Sequence, residues 1–311
     1  MRKPLLTTLF AALLFSAAYA QYPDKPVNYI IPFNPGGESD VTARLQQEGL
    51  EEALGVDVVI QNQAGGGGAV AWGEFQRTAA ADGYNVIGIN LPHIIAQPVS
   101  RGDAGYETDG FDSLYFFHFT PSALVVTEDS EFQTLEDFLA FAQENPQVLT
   151  IGGSGTFSAN HLETLRLEQN AEVDLTYIPF SGSAPTRPAL LGGHVSALMS
   201  YSTTPFAVEG VRLLAVASEE RLPFLPDVPT FRELGYDIVG GAYRGVAVPN
   251  DTPDDVKATL VSALDSVTDG IADAQSELGY LPTNISGEEA AAVIEEMRQN
   301  YEGIIEAELG E

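Results

Sequence analysis

The 311-residue chain has no cysteine. Disulfides, cysteine-held metals and a lipid-modified N-terminal cysteine are therefore excluded. Positive charge is scarce: 14 Lys+Arg stand against 44 Asp+Glu, a formal net charge of −30. That balance argues against nucleic acid and anionic membrane surfaces as partners. Lys3, Lys25 and Lys257 are the only lysines. So acidic a surface suits a saline habitat and implies stability that rises with salt. Histidine is sparse too. His93, His118, His161 and His194 form no H-E-x-x-H or H-x-H pattern, so no metal site is expected. Ser154 lies in Gly153-Ser154-Gly155, not in G-x-S-x-G, and no other catalytic constellation stands out. Beyond residue 20 no apolar run is long enough to cross a bilayer.

Residues 1–20 have the layout of a secretory signal peptide. Arg2 and Lys3 form a basic start, Leu5 to Phe15 an apolar core, and Ala18-Tyr19-Ala20 a small-x-small cleavage site. Gln21 is the expected new N-terminus of an exported, soluble protein. With 44% hydrophobic residues over the full chain, there is ample core material for two α/β domains or one large one.

What is abundant is glycine, placed where strands give way to helices. Val27 to Ile31 reads as a strand, Pro32 to Asp40 as a turn, and Val41 to Leu45 as a helix start. Gly36 and Gly37 let the backbone approach a ligand, and Ser39 and Asp40 are good N-caps. A helix start with free N–H groups favours an anion. The pattern repeats: Val56 to Ile60 reads as a strand and is followed by Asn62-Gln63-Ala64-Gly65-Gly66-Gly67-Gly68. Asn85 to Asn90 is a third buried-strand pattern, ending beside His93. Successive βα units deliver their strand ends to one sheet edge, where open α/β folds bind ligands. His93 is thus a site candidate, with a packed loop histidine as the plainer reading.

Residues 100–113 are polar and turn-rich and read as a surface excursion. Leu114 to Thr127 is apolar and long enough to run from one domain into another. Val148 to Ile151 then repeats the strand–glycine–helix pattern with Gly152 to His161. That loop carries Ser154, Thr156, Ser158 and Asn160, which can donate to a carboxylate without adding charge. Leu175 to Phe180, His194 to Ser200 and Val211 to Ala217 read as further strands. Val239 to Val248, with Tyr243 and Arg244, is a second segment able to cross between domains. The tail from Thr252 to Glu311 reads as acidic helix that packs on the first domain and carries no site.

Several ordered motifs carry a family resemblance: Tyr22-Pro23-Asp24-Lys25-Pro26, Pro32-Phe33-x-Pro35-Gly36-Gly37-x-Ser39-Asp40, Asn62-x-x-Gly65-x-Gly67-Gly68 and Asp82-Gly83-Tyr84. Ser158-x-Asn160-His161-Leu162, Leu190-Leu191-Gly192-Gly193-His194-Val195 and Pro226-Asp227-Val228-Pro229-Thr230 follow. Over essentially the whole mature chain the sequence resembles the extracytoplasmic receptors of tripartite tricarboxylate transporters, the TctC or Bug family.

The resemblance implies a type II periplasmic-binding-protein fold, with two α/β domains joined by two crossing strands around a ligand cleft. The first domain would comprise residues 21–120 plus 240–311 and the second residues 121–239. It also implies a periplasmic receptor, expected to be monomeric and to need no cofactor. Such a receptor captures a small carboxylate (a di- or tricarboxylate or related acid) and passes it to transporter subunits in the membrane. Carried over by motif, Gly36, Gly37, Ser39, Asp40, Ala64 and Gly65 would hold a ligand carboxylate. Ser154, Thr156, Ser158, Asn160, Phe180, Ser183 and Ser200 would close on the rest. Two departures stand out. Glu38 is an acid where the family more often has a small or hydroxyl residue, and it is expected to face solvent; otherwise the ligand carries a donor there. Ser200 stands where an acid or amide is common. Arg244 is a cation where family members usually have none, fit for a second ligand carboxylate or an interdomain salt bridge.

Two other functional classes compete. A soluble sensor could present bound ligand to a signalling partner through the same fold. An enzyme finds little support: Gly66-x-Gly68-x-x-Ala71 formally fits a dinucleotide fingerprint, but the next strand ends in Asn90 where an acid for the ribose is expected.

Overall fold

The structure, a computed structural model, describes residues 22–101 and 104–310; the signal-peptide stretch lies outside them. Three βα units come first. They are β1 (Val27–Ile31) with α1 (Glu38–Leu54), β2 (Val58–Asn62) with α2 (Ala69–Thr78), and β3 (Asn85–Leu91) with α3 (His93–Arg101). The strand β4 (Phe111–Thr127) leads out of this lobe. The second lobe contains α4 (Leu135–Glu144), β5 (Thr150–Gly153), α5 (Ala159–Ala171), β6 (Thr176–Pro179), α6 (Thr186–Leu191), β7 (Ala197–Tyr201), α7 (Thr204–Ala207) and β8 (Val211–Val216). The chain returns through β9 (Gly241–Pro249) and ends with α8 (Asp254–Glu277), β10 (Leu281–Ser286) and α9 (Gly287–Leu309).

Among the described residues ten strands form one continuous, curled sheet in the order β2-β1-β3-β9-β4-β7-β5-β6, with β8 and β10 also on β4. The joint is β4. Its first half pairs antiparallel with β9 and β10, its second half with β7 and β8. The β1–β2, β1–β3, β5–β6 and β5–β7 pairs are parallel. Each lobe therefore delivers its parallel strand ends, and the loops after them, to the gap between lobes. The return crossing is made by glycine. Gly240 accepts from Ser122 N, and a Cβ on Gly241 would stand 2.2 Å from the Thr120 carbonyl oxygen. Only glycine lets β9 start so close to β4.

Four sequence expectations are corrected. First, α1 is capped not by Ser39 or Asp40 but by Gly37, which offers no side chain. Both polar residues lie inside the first turn, and the Asp40 carboxylate reaches back to the Gly36 N–H at 2.8 Å. Second, residues 104–113 are not simply surface: Tyr106 is buried against Trp72 and Phe111. Third, the tail contains β10, an edge strand that tolerates Pro282. Fourth, the tail is shared between lobes. Helix α8 packs on α1, but α9 touches α3 of the first lobe and α5 of the second. Tyr301 of α9 donates to Glu163 of α5 at 2.6 Å, and Arg166 of α5 reaches the Asn300 carbonyl at 2.9 Å.

Candidate ligand-binding cleft

The cleft forms where six strands contribute lining residues. The loop after β1 brings Phe33, Glu38 and Ser39, the end of β3 brings Asn90 and His93, and β9 brings Arg244. From the second lobe come Ser154 after β5, Ser183 after β6 and Tyr201 at the end of β7. The space between them, part of it open to solvent, amounts to about 220 Å³. A roomier groove of about 1010 Å³ lies on the second lobe, beside Phe132, Phe141 and Leu190. None of its lining residues carries an unpartnered buried polar atom, whereas three residues of the interlobe cleft do: His93, Tyr201 and Arg244. Polar groups that are buried without partners make the interlobe cleft the candidate ligand site.

The lobes are closed on each other. Ser181 donates to Asn34 Oδ1 at 2.7 Å, Arg187 to the Gly36 carbonyl at 3.1 Å, and the Glu38 N–H to Ser183 Oγ at 3.4 Å. On the other flank Gln97 Nε2 donates to the Gly67 carbonyl at 3.0 Å and the Thr156 carbonyl at 3.4 Å, tying both glycine loops together.

Five of the residues singled out from sequence line the cavity: Ser39, His93, Ser154, Ser183 and Arg244. His93 is fully buried, edge-on to Phe33, and neither ring nitrogen meets a protein partner. Burial, aided by the Arg244 charge, drops its pKa to about 3, so it stands neutral with one donor and one acceptor. Ser39 Oγ donates to Asn90 Oδ1 at 3.3 Å, and Ser154 Oγ to Asn160 Oδ1 at 2.6 Å. Gly37 flanks the cavity, its α-carbon facing Ser183.

The other candidates sit around this ring or behind it. Asp40 braces the first loop through Gly36 N, Arg44 at 3.0 Å and Asn62 at 2.9 Å. Burial alone would raise its pKa, but those bonds outweigh it and lower the value. Gly36 and Ala64 are exposed, and Gly65 is half-buried; the second loop meets the opposite lobe two residues further on, at Gly67. Thr156 offers its carbonyl to Gln97. Ser158 caps α5, accepting from His161 N at 3.3 Å. Asn160 Nδ2 donates to the Ser200 carbonyl at 3.3 Å, and Ser200 Oγ accepts from Thr204 at 3.0 Å. Phe180 packs with the apolar core of the second lobe. Tyr243, one residue from Arg244 along β9, points to the other sheet face against Phe116 and Phe119.

The expectation that Glu38 faces solvent is overturned. It is 3% exposed, paired with Arg244 at 2.9 Å, and it accepts a hydrogen bond from Thr203 of the second lobe. Sequence reading also missed Phe33, Asn90, Tyr201, Thr203 and Gln97. The glycine loops pointed to the backbone near Phe33, but Tyr201 and Thr203 follow an ordinary buried strand and carried no local signal.

The model of the tripartite tricarboxylate transporter family receptor, TctC, matches residues 42–309. The chain belongs to that family. A Pseudomonas sp. relative, the UPF0065 protein in the tcbD-tcbE intergenic region, is 31% identical over 271 residues, covering 83% of this chain and 80% of the relative. Among solved structures, Rhodopseudomonas palustris MatC with bound malate superposes with a TM-score of 0.81 at 27% identity, covering 91% of this chain and 100% of MatC. R. palustris Rpa4515 with adipate gives 0.86 at 27% identity, covering 93% and 98%. The fold is that of the TctC solute-binding receptors, two α/β lobes around a cleft, as the sequence implied. Among the described residues no helix is long and apolar enough to cross a membrane.

Proposed function

We propose that the protein is a periplasmic receptor that captures a small organic carboxylate between its lobes and delivers it to the membrane subunits of a tripartite tricarboxylate transporter. The ligand is a di- or tricarboxylate or a related organic acid. The lobes are residues 21–120 with 240–311, and 121–239, and the receptor acts as a monomer after removal of residues 1–20. The observation that carries this reading is the interlobe cleft, with unpartnered polar groups on His93, Tyr201 and Arg244 where both sets of strand ends converge. Malate and adipate in the related structures support the ligand class.

The energetics favour a two-lobed grip. Micromolar affinity needs about 8 kcal/mol net. Each hydrogen bond to a charged group contributes roughly 1.5–3 kcal/mol, so one carboxylate held by one lobe hardly offsets the association entropy. Groups from both lobes supply the remainder and couple capture to closure. The test is a thermal-shift screen of the mature protein against di- and tricarboxylates and related acids. At least one acid should raise the melting temperature; no shift across the panel refutes the reading.

A further inference from the structure

Glu38 and Arg244 form an ion pair inside the cleft wall, with side chains only 2% and 3% exposed. Arg244 Nη1 donates to Thr120 Oγ1 at 2.8 Å, and the guanidinium lies over the Tyr201 ring, 4.6 Å from its centre. Glu38 Oε1 accepts from Thr203 Oγ1 across the cleft. The pair has hydrogen-bonding capacity left. Glu38 Oε2, held 2.9 Å from Arg244 Nη2 by the ion pair, accepts from no other donor among the described residues, and Arg244 Nε donates to nothing there. Both residues line the cavity.

This pairing decides what the cleft can accept. A free buried arginine would welcome a second ligand carboxylate, but here a carboxylate is already in place. Another would have to share Arg244 with Glu38, as two buried like charges, or expel Glu38 and break its bond to Thr203. The neutral His93 adds no positive charge to offset it. A hydroxyl or carboxamide instead brings a donor for Glu38 Oε2 and an acceptor for Arg244 Nε. It leaves the charge balance of the pair intact.

Resting on the carboxylate-receptor reading above, we propose that Glu38 is a specificity-determining residue. By neutralising Arg244 it tunes the cleft to monocarboxylates with an uncharged hydrogen-bonding group at the far end, in preference to dicarboxylates of the same length.

Calorimetry of the mature protein with succinate, glutarate and adipate, each beside its monoamide, tests this at fixed ionic strength. Wild type should bind at least one monoamide tenfold or more tighter than the matching dicarboxylate. Glu38→Gln, which frees Arg244 while keeping the side-chain shape, should move that ratio at least tenfold toward the dicarboxylate. Tighter dicarboxylate binding by wild type overturns the proposal, whether or not the variant folds. A ratio left unchanged in folded Glu38→Gln overturns it as well. If monoamides and dicarboxylates bind equally, the carboxylate reading stands and this proposal falls. Failure of all six compounds to bind overturns this proposal, and the carboxylate reading falls with it only where the wider thermal-shift panel is silent as well.

Discussion

Gly67 and Gly155 meet α-carbon to α-carbon across the mouth of the cleft: a Cβ added to Gly155 would lie 2.9 Å from the Gly67 Cα. The two residues belong to glycine loops on opposite lobes, so their contact exists only when the lobes are closed. Gly155→Ala should hold the lobes apart. It also strains a backbone at φ +128, a conformation side chains rarely adopt. We expect ligand affinity to fall at least tenfold, about 1.4 kcal/mol. X-ray scattering should show the variant staying more extended than wild type when ligand is added. Gly37→Val should act in the same way, because its side chain would meet Ser183 of the second lobe, 3.5 Å from a Cβ. Wild-type affinity in both variants would show that closure does not use these contacts.

The Tyr301–Glu163 bond predicts a stability defect remote from the cleft. Glu163 is wholly buried, and burial raises its pKa against the opposing pull of Arg166 and Tyr301. Tyr301→Phe removes its closest donor and leaves Arg166 at 3.4 Å. The expected cost is about 1–3 kcal/mol in denaturant unfolding, the penalty for a buried acceptor losing its partner. A midpoint equal to that of wild type would show that the bond contributes nothing.

Acidification should weaken the fold through its histidines. Burial lowers the folded-state pKa of His93 to about 3 and of His161 to about 4, and that of His118 well below the usual value. Arg244 adds to the effect on His93 and His118. Unfolded histidines take up protons near 6.5, before the folded ones do. Stability therefore falls as pH drops below 6.5, by up to about 1.4 kcal/mol per pH unit for each. Glu168 works the other way. Burial, with Asp174 and Glu308 nearby, raises it to about 7, so the folded state binds its proton first and gains stability as pH falls from 7. His161→Gln should flatten the acid-side slope of melting temperature against pH, and Glu168→Gln should steepen it. Identical slopes in the two variants would contradict these assignments.

The charge imbalance predicts a salt response. With a formal net charge of −30, most of the surface repels itself, and the Debye length shrinks from about 14 Å at 50 mM salt to about 3 Å at 1 M. Both the unfolding midpoint and the refolding yield should rise over that range. A flat response would mean that local ion pairs already balance the surface.

How much of this was legible in the sequence depended on how local the cause was. The strand–glycine–helix units announced themselves because strand periodicity, glycine turns and helix starts are written in neighbouring residues. That was enough to place the first two glycine loops at one sheet edge, but within the second the sequence pointed to Ala64 and Gly65, and Gly67 is the residue that meets the other lobe. Glu38 was misread because its burial is caused by Arg244 and Thr203, partners far along the chain that no local pattern links to it. Strand β10 was missed because Pro282, Thr283 and Asn284 look like a turn, and only pairing with β4 makes them a strand. Ser158 and Asn160 were singled out as donors, but capping and loop-bracing engage the same polar atoms. A sequence cannot show which demand an oxygen meets first.

The placement of α9 makes the setting of the lobes depend on contacts between distant parts of the chain. Its Tyr301 and Asn300 meet Glu163 and Arg166, which lie 138 and 134 residues earlier. The second lobe can gather its own core without them, since the apolar residues of its main cluster all lie between Leu124 and Ile238. Glu163 gains its tyrosine only when α9 docks on α5. A chain cut short before Tyr301 would lose that tie behind the cleft and keep the ones across it, at Asn34, Gly36 and Gln97.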